Sequence, residues 1–292
     1  MTISPECITC IFSQSLRVAQ TLNLDEDRTK ELLNLSSTFI PKFDNKENPP
    51  VNATIMYEEL AKFLDTDDIY KDAKIKATNE AKKLISKCED IINSTKDKLY
   101  IAGKIAIAGN VIDLASTHQF SLESEIEKIA NSNLAIDDFD ILNTRLKKAS
   151  KIIYFADNAG EHIFDKLYIK TIKEFYPKLK IYYFTRGNPI INDVISKEAI
   201  EDGLNKYCEV INSGVRTPCI IFKDLNSKSY DIISNISKDD FIISKGMGNY
   251  ECLNEEFSKD IFFLLKVKCQ VVANALNLKI GDLVCKLNNK RL

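Results

Sequence analysis

From Lys151 onward the chain alternates short apolar runs with helix-like stretches, and few architectures satisfy that rhythm. The runs KIIYFA (151–156), KIYYFT (180–185), CEVIN (208–212), DFIIS (240–244) and IFFLL (261–265) are rich in β-branched and aromatic residues. Strands buried on both faces read this way, as near-continuous apolar segments. Strands separated by helices imply an α/β fold with a mostly parallel sheet. Residues 1–149 have another texture, helical almost throughout. Proline opens PECITCIFSQSLRVAQTL, acids open DEDRTKELLNLSSTFI, and KDKLYIAGKIAIAGNVIDLAS is apolar enough to lie among other helices. The chain is therefore divided into a mainly helical lobe, 1–149, and an α/β lobe, 150–292, and it has no repeat of fixed period.

In such sheets ligands bind beyond the carboxyl ends of the strands, so the strand exits carry the functional information. KIIYFA runs into Asp157-Asn158-Ala159-Gly160-Glu161. KIYYFT runs into RGNPIIND, with Arg186, Asn192 and Asp193. DFIIS runs into KGMGNYE, with Lys245, Gly246, Gly248 and Asn249. Each exit alone is ordinary loop composition. Three polar exits on one sheet edge are a site. Asp157, Asn158 and Asp193 offer hard oxygens suited to a divalent cation such as Mg²⁺ or Mn²⁺. Lys245 and the backbone N–H groups around Gly246 and Gly248 suit a phosphate. A cation beside a phosphate cradle is the equipment of phosphoryl chemistry.

These segments, with AGNVID in the helical half, resemble the metal-dependent damage-control phosphatases, long catalogued as a family of unknown function (number 89). The four motifs occur in the same order over nearly the whole chain. ECITC and KVKC resemble the archaeal and bacterial subgroup with an N-terminal CxxC. The resemblance implies a helical lobe beside a Rossmann-like, three-layer lobe with the site between them. It also implies hydrolysis of small phosphate esters: phosphosugars, nucleotides or damaged phosphometabolites. Its metal triad falls on Asp157, Asn158 and Asp193, with Mg, Mn, Co or Ni as the cofactor, and its motif lysine on Lys245.

The residues support roles independently of that likeness. A cation at Asp157, Asn158 and Asp193 offsets the charge of a phosphomonoester, and Lys245 stabilises charge developing on the phosphoryl oxygens. Glu161 serves as a base, or equally as an acid in the first turn of a helix. Asn110 and Asp113 share a helix face; the resemblance tips Asn110 toward the substrate. Arg186, Gly246, Gly248 and Asn249 are further substrate contacts.

The remaining features narrow the class. Forty basic residues against 42 acidic ones leave a net charge of −2, which argues against a nucleic-acid partner held by general positive charge. The N-terminus lacks a signal peptide's pattern, and no run is apolar enough to span a membrane, so a soluble, cytoplasmic protein is expected. Eight cysteines then read as reduced thiols or metal ligands, not a disulfide framework. Cys7 and Cys10 read as buried thiols; a structural zinc would need Cys269 or Cys285 as well. His118 and His162 are too scattered for a His-rich centre, and His162 reads as an exposed helix residue. A haloacid-dehalogenase signature is absent, since Asp138-Phe139-Asp140 lacks its Thr or Val. The competing reading is a Rossmann-like nucleotide- or cofactor-binding protein such as a methyltransferase, although no GxGxxG opens a βα unit.

Overall fold

The structure is a computed structural model that describes residues 1–109, 126–256 and 258–288. Asn110, Asp113 and His118 lie outside the described residues. Seven strands form one sheet: β1 (Ile136–Asp137), β2 (Lys151–Phe155), β3 (Lys180–Thr185), β4 (Glu209–Asn212), β5 (Phe241–Lys245), β6 (Ile261–Lys266) and β7 (Leu283–Asn288). Their spatial order is β1-β7-β6-β5-β2-β3-β4. Every neighbouring pair is parallel except β6 and β7. The mostly parallel α/β reading therefore holds, and the five apolar runs are β2 to β6. The sequence pattern missed β1 and β7. A two-residue strand has no periodicity to detect, and it comes from the half read as helical.

Alternate residues of each strand face opposite layers. Ile152, Tyr154, Ile181, Tyr183 and Ile243 join one core with α4 (Lys71–Ser94), α5 (Lys98–Ala108) and α7 (Glu161–Phe175). Ile153, Phe155, Phe184, Ile242 and Phe263 join the other with α9 (Ser227–Ser234), α10 (Gly246–Leu253) and α11 (Gln270–Leu276). Truncating a ring such as Phe155 in this double-sided core costs about 3–5 kcal/mol. A third cluster belongs to α1 (Pro5–Thr21), α2 (Glu26–Ser37) and α3 (Pro49–Phe63), with Val18, Leu32, Met56 and Leu60 at its centre. Ile190, from the loop after β3, is buried in this third cluster. With Ile191 packed beside it, this residue pins the RGNPIIND loop to the helical layer. The short helices α6 (Phe139–Leu146) and α8 (Ser196–Glu201) connect β1 to β2 and β3 to β4.

Strands β5, β2 and β3 are adjacent, and β2 is where the chain first moves to one neighbour and later returns to the other. Such a switch point leaves a crevice at the carboxyl ends. The three polar exits open onto it. Among the described residues, no helix is long and apolar enough to cross a membrane.

Candidate active site

The turn after β2 is shaped before any ligand enters. Gly160 has φ +87°, a conformation L side chains rarely adopt, and a Cβ there would lie 3.2 Å from the Ala77 backbone. His162 supports the same turn: its Nδ1 accepts from the Gly160 N–H at 3.1 Å, and its Nε2 lies 2.8 Å from Asp202 Oδ2. Because Nδ1 accepts, the proton sits on Nε2 and is donated to Asp202. His162 is thus fully buried, a correction to its reading as an exposed residue; the ring is drawn inward by those two bonds.

A bridge between Asn158 and Asp193 joins the exits of β2 and β3. Val194 N–H donates to Asp157 O at 3.0 Å and Ala159 N–H to Asn192 O at 2.8 Å, so the backbone locks the two loops together. Asp157, Asn158, Glu161 and Asp193 consequently share one small volume. Asn158 Nδ2 donates to Asp157 Oδ2 at 3.0 Å and to Glu161 Oε1 at 2.7 Å. Arg186 Nε donates to Asp193 Oδ2 at 2.5 Å, and its Nη2 stands 3.9 Å from Asp157 Oδ1. Among the described residues, neither Nη1 nor Nη2 has a hydrogen-bond partner, although Arg186 is only 1% exposed. Two buried guanidinium nitrogens therefore face the site without a hydrogen bond from the described residues.

Crowding of acids leaves its mark. Burial pushes the Glu161 carboxyl up to about 7, helped by the Asp157 charge and opposed by Lys245. Burial likewise pushes Asp193 up to about 7, with Arg186 opposing and Asp157 adding to it. Buried carboxylates that repel one another in this way call for a counter-cation.

The third exit supplies the lysine. β5 passes directly into α10, and at that junction Gly246 has φ +80°; a Cβ there would fall 2.0 Å from Asp157 Oδ2. Only glycine lets the β5 exit approach the acid so closely. Lys245 is fully buried and donates to Ala106 O at 2.7 Å, Asp165 Oδ1 at 2.6 Å and Glu161 Oε2 at 3.5 Å. Burial alone would lower its ammonium, but Asp165 and Glu161 outweigh that and hold it above the ordinary range. Asn249 is engaged with the backbone: its Nδ2 donates to Ala156 O and Lys245 O, and its Oδ1 accepts from Ile220 N–H. Gly248 packs against Pro218 O, where a Cβ would lie at 2.5 Å. Both brace the loop of residues 217–220 against α10.

That brace also corrects the cysteine reading. Cys219 and Cys252 form a disulfide, with Cα atoms 6.5 Å apart. The Asn249 contact to Ile220 draws the two segments together, a proximity no spacing rule reveals. The other six cysteines are free, and Cys10 is exposed where a buried thiol was expected, while Cys7 is buried.

Several functional neighbours escaped the sequence. Asp165 takes the Lys245 ammonium. Lys74, from α4, is buried between Asp68 at 2.6 Å and Glu198 at 2.7 Å, and its charge lowers the Asp193 carboxyl. Asp165 had a faint signal, an acid four residues after Glu161 inside an apolar helix; Lys74 looks like any surface lysine in KDAKIKAT. A cleft of about 760 Å³ runs beside the tip of the RGNPIIND loop, lined by Tyr57, Asp65, Asp68, Asn188, Ile191 and Arg216 among others. Ile191 there has φ +46°, a strained state for a β-branched residue, two positions before Asp193.

The donor set fits a hard divalent cation. Among the described residues, no three His, Cys, Asp or Glu side chains converge as metal ligands. Two carboxylates and an amide oxygen, completed by water, are nevertheless what Mg²⁺ or Mn²⁺ accepts.

Known proteins share the sequence and the fold. The damage-control phosphatase ARMT1-like domain matches residues 3–284. A damage-control phosphatase of Pyrococcus horikoshii is 35% identical over 295 residues, covering 100% of both chains. A damage-control phosphatase of Archaeoglobus fulgidus is 30% identical, covering 98% of this chain and 99% of its own. The crystal structure of a DUF89 family protein from Pyrococcus horikoshii superposes with a TM-score of 0.90 at 34% identity, covering 99% of this chain and 100% of that one. The chain belongs to the damage-control phosphatase ARMT1-like family.

Proposed function

We propose that the chain is a divalent-metal-dependent phosphomonoester hydrolase acting on a small phosphorylated metabolite. One observation carries the reading: two buried Arg186 nitrogens, without a hydrogen-bond partner among the described residues, lie beside carboxylates crowded by burial and mutual charge. A divalent cation suits the crowded carboxylates, and an anion suits the guanidinium. A phosphate ester brought in by a divalent metal supplies the two together. The names of the relatives support the phosphatase class.

In this reading Asp157, Asn158 and Asp193 hold the cation. When bound, it neutralises phosphoryl charge and activates water. Arg186 remains anchored through Nε to Asp193 and turns Nη1 and Nη2 to two phosphoryl oxygens, the forked geometry that lysine cannot supply. Glu161, one turn beyond the ligands, accepts the proton from the attacking water. Lys245 exchanges its long contact to Glu161 for a phosphoryl oxygen as charge grows there. The cleft beside Asn188 and Arg216 receives the remainder of the ester. Oligomeric state has no part in the reading.

The test is phosphate release from a panel of phosphate esters with Mg²⁺, Mn²⁺, Co²⁺ or Ni²⁺, against a chelated control. Turnover that needs the cation and disappears in Asp193→Ala is expected. Equal turnover after chelation would refute metal dependence, and transfer of a methyl group without phosphate release would favour the methyltransferase alternative.

A further inference from the structure

Asp165 is a buried acid beside the site that the proposed chemistry does not use. It stands on α7 one helical turn past Glu161 and is fully buried. Its Oδ1 accepts from Lys245 Nζ at 2.6 Å and from the Tyr154 hydroxyl at 2.7 Å; its Oδ2 accepts from the Tyr183 hydroxyl at 2.9 Å. Tyr154 and Tyr183 are register partners on β2 and β3, with rings stacked 5.3 Å apart. Both hydroxyls therefore rise from the middle of the parallel sheet, beneath α7, and fix the carboxylate from below.

We propose that Asp165, held by Tyr154 and Tyr183, is the positioning residue for Lys245. It anchors the ammonium behind the site, so the long contact to Glu161 is the one given up to a phosphoryl oxygen. The proposal rests on Lys245 serving the phosphatase chemistry above. Two features separate it from a merely structural ion pair. First, a buried pair is a poor source of stability compared with apolar residues of the same volume, and α7 already packs through Ile163, Phe164 and Leu167. Second, the three Lys245 bonds are unequal. The short ones go to Asp165 and Ala106, neither of them a proposed metal ligand, and the long one goes to Glu161, which itself holds Asn158. A lysine stem without Asp165 has rotamer freedom and several carboxylates to choose from. Asp165 removes that choice.

Asp165→Asn keeps the shape and removes the charge. With p-nitrophenyl phosphate and Mn²⁺ as probe, kcat should fall about tenfold or more while KM changes less than about threefold. In a Lys245→Met background the same substitution should add nothing, because residues acting as one unit are not additive. Equal losses in both backgrounds, or no loss in the wild type, would overturn the proposal. A readout without catalysis is the ammonium resonance of Lys245 in nitrogen-15-labelled protein, identified by its absence in Lys245→Met. It should be sharp in the wild type and lost in Asp165→Asn; an unchanged resonance overturns the positioning role. If the wild type is inactive and its resonance is still lost on Asp165→Asn, the phosphatase reading fails and the positioning stands. Should Asp165→Asn fail to fold, Tyr183→Phe removes one supporting hydroxyl. It should lower kcat by about threefold in the wild type and not at all in Lys245→Met; an equal loss in both overturns the role.

Discussion

The two sides of the site are built in opposite ways. At the β2 and β3 exits, Arg186 has nitrogens without a hydrogen-bond partner among the described residues, and Glu161 and Asp193 are pushed up to about 7 by burial and crowding. Around Lys245 at the β5 exit, Asp165 holds the ammonium and is held in turn by the Tyr154 and Tyr183 hydroxyls, all of them fully buried. Unsatisfied buried charge is costly, so it persists where a ligand completes it. Satisfied buried charge is stiff, so it holds a group in place. One side is made to receive and the other to hold.

The largest effect expected from breaking this contrast is on the receiving side. Asp157→Ala or Asp193→Ala should abolish stoichiometric Mn²⁺ binding by calorimetry and cut turnover by about a hundredfold or more, with the fold retained. Full turnover in either variant would refute the ligand assignment. Next comes the holding side. Lys245→Met leaves Asp165 as an uncompensated buried charge, so chemical unfolding should show a loss of about 3–5 kcal/mol. Turnover should fall, yet Mn²⁺ should still bind, because an ammonium is no oxygen ligand. Loss of the metal in that variant would merge the two sides into one.

A smaller effect concerns pH. Glu161 and Asp193 carry folded values raised to about 7 from ordinary values of 4.5 and 3.8. The folded state then binds more protons than the unfolded chain between those limits. Metal-free protein should therefore be most stable near pH 4 and lose stability as pH rises through about 7. Mn²⁺ should raise the urea midpoint at pH 8 more than at pH 5, and a metal-free profile that is flat from pH 4 to 8 would contradict the crowding. The smallest effect belongs outside both sides. Cys10→Ser alters an exposed thiol, so stability should change by less than about 0.5 kcal/mol and turnover not at all.

How much of this was legible follows from the kind of signal each residue leaves. Asp157, Asn158, Asp193 and Lys245 stand where apolar runs stop, and the end of a buried strand is visible in a one-dimensional pattern. The five central strands were visible for the same reason. Asp165 lies inside an apolar helix segment, where a lone acid reads as noise until Tyr154 and Tyr183 are seen beneath it. His162 looks exposed until Gly160 and Asp202 claim its two nitrogens. Cys219 and Cys252 are 33 positions apart, and only the packing of the 217–220 loop on α10 joins them. Lys74 has no distinguishing context at all.

By itself, then, the sequence determined the α/β class, the mostly parallel sheet and the polar composition of its three central exits. Burial on both faces forces unbroken apolar strands, and a ligand crevice forces polar residues at their ends; both are local constraints on residue type. Which exits would touch, and which polar residues would brace them, was decided by tertiary structure alone. The Asn158–Asp193 bridge, the Arg186 fork with its idle donors, and the tyrosine-held Asp165 beneath Lys245 depend on strand order and register. Hydrogen bonds and charge pairs act over a few ångströms of space, and distance along the chain says little about that separation.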